Sequence, residues 1–141
     1  MRGYELRHVV SFEETNVVGN VYYANHVRWQ GRCREMFLRD HAPSVLQQIA
    51  DGLSLVTTRV SCEYFDELRA FDEIVIRMYV KSLAPGRVTM SFDYARLSAA
   101  GEQLVARGEQ QIAAMRKEDG TLVPTALPTV LRDALAPYLQ H

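Results

Sequence analysis

The sequence predicts an α+β domain: an antiparallel sheet of about five strands curled around one long central helix. Three observations point there. A helix-length amphipathic run, residues 24–40, stands near the start. Four long stretches of period-two alternation follow it, separated by short Gly- and Pro-containing turns that imply antiparallel pairing. The helix is the one element long enough to cover the apolar face that such a sheet presents.

The elements read as follows. In 4–12, "YELRHVVSF", Tyr4, Leu6, His8, Val10 and Phe12 share a face, as in a half-buried strand. Residues 13–20 form a polar loop, and 24–40, "ANHVRWQGRCREMFLRD", follow as the long helix. A short helix is expected over 42–52, with Pro43 in its first turn and Gly52 just past its end. In 53–65, Val56, Thr58, Val60, Cys62 and Tyr64 line one face, and Thr57, Arg59, Ser61 and Glu63 the other. In 73–83 the inward set is Ile74, Ile76, Met78 and Val80; in 88–97 it is Val88, Met90, Phe92 and Tyr94. The run 102–120 is a long strand in which Gly108 marks a bulge or a close packing point, and 129–139 closes the chain as a short helix.

Length and composition suit one globular domain, 1–141, with 48% hydrophobic and 23% charged residues. A formal net charge of -1 argues against a general nucleic-acid surface. No run approaches a membrane span, and the opening "MRGYELRHVV" does not read as a signal peptide, so a cytoplasmic location is expected. Cys33 and Cys62 read as reduced buried thiols, and no His pair has metal-ligand spacing, so no metal is expected.

One residue of the helix does not fit. Arg28, Arg32, Glu35 and Arg39 form a solvated face. Opposite lie Ala24, Val27, Gly31, Arg34 and Leu38, and Arg34 sits mid-helix among small or apolar neighbours. Its stem can snorkel outward; alternatively, its guanidinium is a fixed cation in a pocket wall that binds developing negative charge. The loop before the helix holds Asn16, Gly19 and Asn20, and the free N–H groups of the helix start can cradle an oxyanion. Asn25 is a candidate cap, and His26 reads as a partly exposed helix residue with a possible substrate contact. Glu13 and Glu14 are candidate bases but read as solvated. Only one of Thr57 and Thr58 can face a pocket.

The run "FEETNVVGNVYYANHVRW" resembles the signature of hot-dog-fold acyl thioesterases of the 4-hydroxybenzoyl-CoA thioesterase type, through Thr15, Gly19, Val21, Tyr22, Tyr23, Asn25 and Trp29. The family's Asp is replaced by Asn16, which is neither titratable nor a good nucleophile. With Arg34 on the helix, the stretch is similar to the thioesterases of enediyne polyketide biosynthesis. The resemblance implies a hot-dog fold, a homodimer or homotetramer, and no cofactor. It also implies a β-keto polyene thioester carried by the acyl carrier protein domain of a polyketide synthase. Tyr23 then supplies the backbone oxyanion donor, Arg34 meets the second acceptor of the β-keto group and the charge of its enolate, and Asn16 positions water, the nucleophile, or the thioester carbonyl. Gly19, Val21, Asn25, His26 and Thr57 are the expected substrate-binding positions. The alternatives are a general acyl-CoA thioesterase and a non-catalytic acyl-binding or docking module.

Overall fold

The computed structural model describes residues 2–140. Strand β1 (Tyr4–Val9) leads through a 3₁₀ turn (Phe12–Glu14) and a loop into helix α1 (Ala24–His41). Helix α2 (Ser44–Ala50) follows, then strands β2 (Leu53–Tyr64), β3 (Glu73–Ala84), β4 (Arg87–Ser98), β5 (Gly101–Glu118) and β6 (Thr121–Pro124). Helix α3 (Thr129–Leu135) and a last 3₁₀ turn (Ala136–Tyr138) close the chain. The sheet is antiparallel in the order β1-β3-β4-β5-β2, and the short β6 pairs with the end of β5 as a sixth strand that alternation does not reveal. Strand β2 lies at one edge. No helix among the described residues is long and apolar enough to cross a membrane.

Alternation places the centre of the sheet well. Ile74, Ile76, Met78 and Val80 of β3, and Val88, Met90, Phe92 and Tyr94 of β4, are all buried. Against them α1 sets Trp29, Cys33 and Phe37, while Leu131 and Leu135 of α3 join the same core. Phe12 departs from the β1 face: it belongs to the 3₁₀ turn and is exposed.

Strand β2 departs from its expected alternation at one point. The register with β5 slips between Thr57 and Arg59, a bulge at Thr58. One extra residue reverses the parity. Leu55 and Thr57 therefore face the helix in the first half, while Tyr64 does so in the second. Val56 and Thr58, expected inside, line a groove on the outer face instead.

The buried face of α1 is also rotated from the expected stripe. Asn25, His26, Trp29, Gln30, Cys33, Phe37 and Leu38 are buried, whereas Val27, Gly31 and Arg34 lie at the boundary. The core side of this helix thus carries polar groups. Gly108 is the close packing point that lets one of them in. A Cβ there would stand 2.1 Å from Gln30 Nε2 and 2.8 Å from the Ser61 carbonyl.

Candidate active site

The loop between β1 and α1 is held by its own backbone. Thr15 and Val21 form an antiparallel bridge, Asn16 N–H donates to the Asn20 carbonyl at 2.8 Å, and Gly19, at φ +89°, makes the turn between them. The Asn16 side chain takes part: its Oδ1 accepts the Val18 N–H at 3.0 Å, which leaves its amide nitrogen outward on an exposed residue. Val17 and Val18 stand out in solvent beside it. Val21 turns inward, buried, with its N–H on the Leu68 carbonyl at 2.7 Å.

Glu14 anchors this loop to the helix. Its Oε1 accepts the Ser11 N–H and meets His8 Nε2, both at 2.8 Å, and its Oε2 accepts the Trp29 indole N–H at 2.7 Å. Its backbone carbonyl accepts from Tyr22 N–H at 3.0 Å and from Asn25 Nδ2 at 2.8 Å. Asn25 is therefore a tie from the first turn of α1 back to the loop, not a cap. Burial alone would raise the Glu14 carboxyl, but the Ser11 N–H, His8 and Trp29 outweigh it and hold it below its ordinary value. Expected to be solvated, Glu14 is a structural anchor instead; the Ser11–Glu14 spacing of a capping box is the signal in the sequence that points to it. Glu14→Gln should cost about 2 kcal/mol at neutral pH by loss of charge-assisted bonds. Since the folded carboxyl is the stronger acid, the difference from wild type should narrow as pH falls below about 4.5, the unfolded value. Urea unfolding at several pH values measures both.

The helix starts at Tyr23, whose N–H has no hydrogen-bond partner among the described residues and whose carbonyl accepts the Tyr64 hydroxyl at 2.8 Å. Tyr23 lines a cavity of about 170 Å³ with Asn20, Val21, His26, Tyr64, Asp66, Glu67 and Leu68. His26 is not partly exposed as expected: it is 3% exposed, its ring set against Trp29, Tyr64 and Tyr94 at centroid distances of 5.1, 4.7 and 5.5 Å. Neither ring nitrogen has a hydrogen-bond partner among the described residues. Burial pushes its pKa down to about 4; the nearby Tyr23 carbonyl pulls the other way but lies outside hydrogen-bond geometry. The imidazole is neutral near pH 7.

One turn on, Gln30 is fully buried, with Nε2 on the Ser61 carbonyl at 3.1 Å and Oε1 without a partner among the described residues. A further turn on, Arg34 donates from Nη1 to Thr57 Oγ1 and Gln110 Oε1, each at 3.2 Å. Thr57 is thus the threonine that meets the helix; Thr58 turns away to Gln111. Arg34 makes no ion pair with a described residue. Burial lowers its pKa, with Glu35 opposing, yet a guanidinium stays charged at any working pH. Behind it lies a wholly apolar cavity of about 20 Å³ between Phe37, Leu38, Leu55, Val88, Met90 and Ile112, closed by Leu131 and Leu135. A wider concavity of about 700 Å³ runs on the far side of α1 over Glu14, Arg28 and Arg32. It is polar and open, and it does not contain Arg34 or His26.

Two clusters result. Tyr23 and His26 share the cavity at the helix start, with Asn16 in the loop that leads to it; Arg34 and Thr57 stand apart. Eleven residues separate Tyr23 from Arg34, about 16 Å along the helix axis. Within one protomer they cannot hold the same carbonyl oxygen.

Residues 10–135 match the family model of the Thioesterase-like superfamily. The chain superposes on the Dynemicin thioesterase, whose crystal structures are described as revealing induced-fit and allosteric effects upon polyene binding, at TM-score 0.95 and 46% identity, with 99% of each chain covered. It is similar in fold to a 1,4-dihydroxy-2-naphthoyl-CoA thioesterase from Synechocystis, at TM-score 0.84, 17% identity and 96% coverage of each chain. Among curated proteins, Acyl-CoA thioester hydrolase YbgC of Escherichia coli is 30% identical over 74 residues, 52% of this chain and 55% of the relative. That match spans about half the length of these curated relatives.

Proposed function

The chain belongs to the Thioesterase-like superfamily, and from that membership we propose that it hydrolyses a polyene acyl thioester, presented on a polyketide acyl carrier domain, with no carboxylate at the reacting carbon. The observation that carries this reading is Arg34: a half-buried cation with hydroxyl and amide partners and no ion-pair partner among the described residues, at the mouth of an apolar cavity. A charge so placed, desolvated and opposed only by the nearby Glu35, is best stabilised when an anion forms next to it.

Two copies of the chain complete the site in this reading. Strand β2 is a free edge, and edges of this kind are covered or paired. An antiparallel pairing centred between Val60 and Ser61 sets Thr57 of one copy opposite Tyr64 of the other. The Arg34 end of one helix then approaches the Tyr23 end of the second, giving two equivalent sites in a C2 dimer.

The chemistry follows from the donors. The Tyr23 N–H receives the thioester oxygen as it becomes an oxyanion, Arg34 adds a full positive charge, and Asn16 orients water through its free amide. Water adds to the carbonyl carbon, the C–S bond breaks, and the proton is delivered to the departing thiolate. The small apolar cavity behind Arg34 is the start of the path for the hydrocarbon tail, widened when the chain enters. The similarity to YbgC favours a second reading, hydrolysis of free acyl-CoA. Purified protein assayed for thiol release on carrier-bound and CoA-bound forms of one polyene acyl group decides: faster turnover of the carrier-bound form is expected. Faster turnover of the CoA form supports the second reading. No turnover above background leaves only an acyl-binding module.

A further inference from the structure

Position 110 breaks the pattern of its strand. The residues that β5 turns toward α1 are Ala106, Gly108, Gln110, Ile112 and Ala114. Four of them are small or apolar, and Gln110 is buried with them, 4% exposed. Its amide oxygen accepts from Arg34 Nη1 at 3.2 Å. A guanidinium carries donors and no acceptor, so the amide can meet it only through oxygen, and its orientation is fixed. Thr57 Oγ1 accepts from the same nitrogen, also at 3.2 Å. Arg34 Nη2 and Nε have no hydrogen-bond partner among the described residues. The fork is pinned at one tip by two neutral acceptors and open at the other.

The neutrality of those acceptors is the unusual part. A desolvated guanidinium ordinarily faces a carboxylate, because an unpaired charge is costly to bury. Glutamate has the shape and reach of glutamine and would pair with Arg34 from position 110. Glu35, the acid whose charge acts on Arg34, lies on the solvated face of α1 and is exposed. An apolar residue at 110 would continue the row on β5 but would release the guanidinium toward that face. Glutamine alone among these choices holds the cation inward and leaves its charge unspent.

We propose that Gln110 is the positioning residue of Arg34: it fixes the guanidinium by one nitrogen and keeps its charge and its other two nitrogens for an anionic ligand. The inference rests on the hydrolase reading above for the identity of that anion, the oxyanion of the reacting thioester. Gln110 acts through Arg34. Thr57 shares the work from the edge strand, but it is exposed, whereas Gln110 is held by the core.

The test uses the intact chain with Gln110→Glu and Gln110→Met. Gln110→Glu should be no less stable to urea at neutral pH than wild type, since its carboxylate pairs with Arg34. Its kcat on a carrier-bound acyl thioester should nevertheless fall about 10²-fold with KM little changed, because the charge that meets the oxyanion is already neutralised. Gln110→Met keeps the length and loses the acceptor. It should lower kcat about tenfold in the wild-type background and add nothing to Arg34→Ala, since it acts only through Arg34. Wild-type kcat in Gln110→Glu, additive losses in the Arg34→Ala, Gln110→Met double variant, or rate losses that simply follow losses of stability would each overturn the proposal. Binding of decanoate against decanol separates this inference from the hydrolase reading. Wild type should prefer the anion about tenfold, and Gln110→Glu should lose the preference. That result without thioester turnover counts against the hydrolase reading alone. Turnover in wild type with equal affinities for the two probes counts against this inference alone. Should Gln110→Glu fail to fold, Gln110→Met with and without Arg34 decides, by rate or by the decanoate preference.

Discussion

Replacing Arg34 by alanine is expected to lower kcat on a carrier-bound acyl thioester by about 10²–10³-fold, the usual loss when a preorganised donor to an oxyanion is removed. KM should change far less, because the charge it meets exists only in the transition state. The fold should survive. Arg34 lies at the boundary of the core, and its removal strands only Gln110 and the exposed Thr57. Lysine should rescue poorly: a point charge cannot keep the bonds to Thr57 and Gln110 while also facing an anion, whereas the guanidinium fork can. The two-copy arrangement adds a sharper check. An Asn16→Ala copy, also inactive, mixed and re-associated with an Arg34→Ala copy, should recover about a quarter of wild-type activity, since one site per mixed dimer is then intact. No recovery would place both residues in one protomer's site, against the axial separation of Tyr23 and Arg34. An unaffected rate in Arg34→Ala would remove the mechanism altogether.

The second large effect belongs to stability. The His26 pKa near 4 in the folded chain against about 6.5 unfolded means that the unfolded chain binds the extra proton first as pH falls. The stabilisation is complete above about pH 6.5 and declines toward pH 4. Between pH 7 and pH 5 the protein should lose about 2 kcal/mol, at up to about 1.4 kcal/mol per pH unit. The groups around the ring leave this assignment clean in that window. Tyr64 and Tyr94 are pushed up by burial, as is Cys62, and all three are neutral there. Asp66, at the cavity wall, is held below its ordinary value by Arg96 and is ionised throughout. Urea unfolding of wild type and His26→Phe at the two pH values is the measurement. The variant should lack most of the slope, and parallel slopes would show that some other group titrates.

Strands β3 and β4 are legible in the sequence because each alternates without interruption and is covered on the helix side, so period two alone names the inward residues. Strand β2 is legible only in its second half. A bulge adds a residue without any change of composition, and Val56 and Thr58 suit an inner face as well as an outer one. For α1 the sequence locates the helix and singles out Arg34, but the core face lies part of a turn away from the apolar stripe. Counting apolar residues cannot put His26 and Gln30 inside, since nothing local says that Gly108 opposite leaves the space Gln30 occupies. Glu14 reads as solvated in the sequence because its partners His8 and Trp29 come from a strand and a helix on either side of the loop.

What the sequence determined by itself was therefore local and repetitive: one long helix with two short ones, long alternating strands, a signature loop with Asn16 where a carboxylate is usual, and a cation in mid-helix. Those features depend on residues close together in the chain, and their spacing suffices to state them. Only the tertiary structure decided which polar groups share an interior, that Thr57 meets Arg34, that His26 is buried with no hydrogen-bond partner among the described residues, and that Tyr23 and Arg34 are too far apart to serve one carbonyl within a protomer. Each of these is a distance or a loss of solvent set by strands many residues away, and no periodicity carries that information.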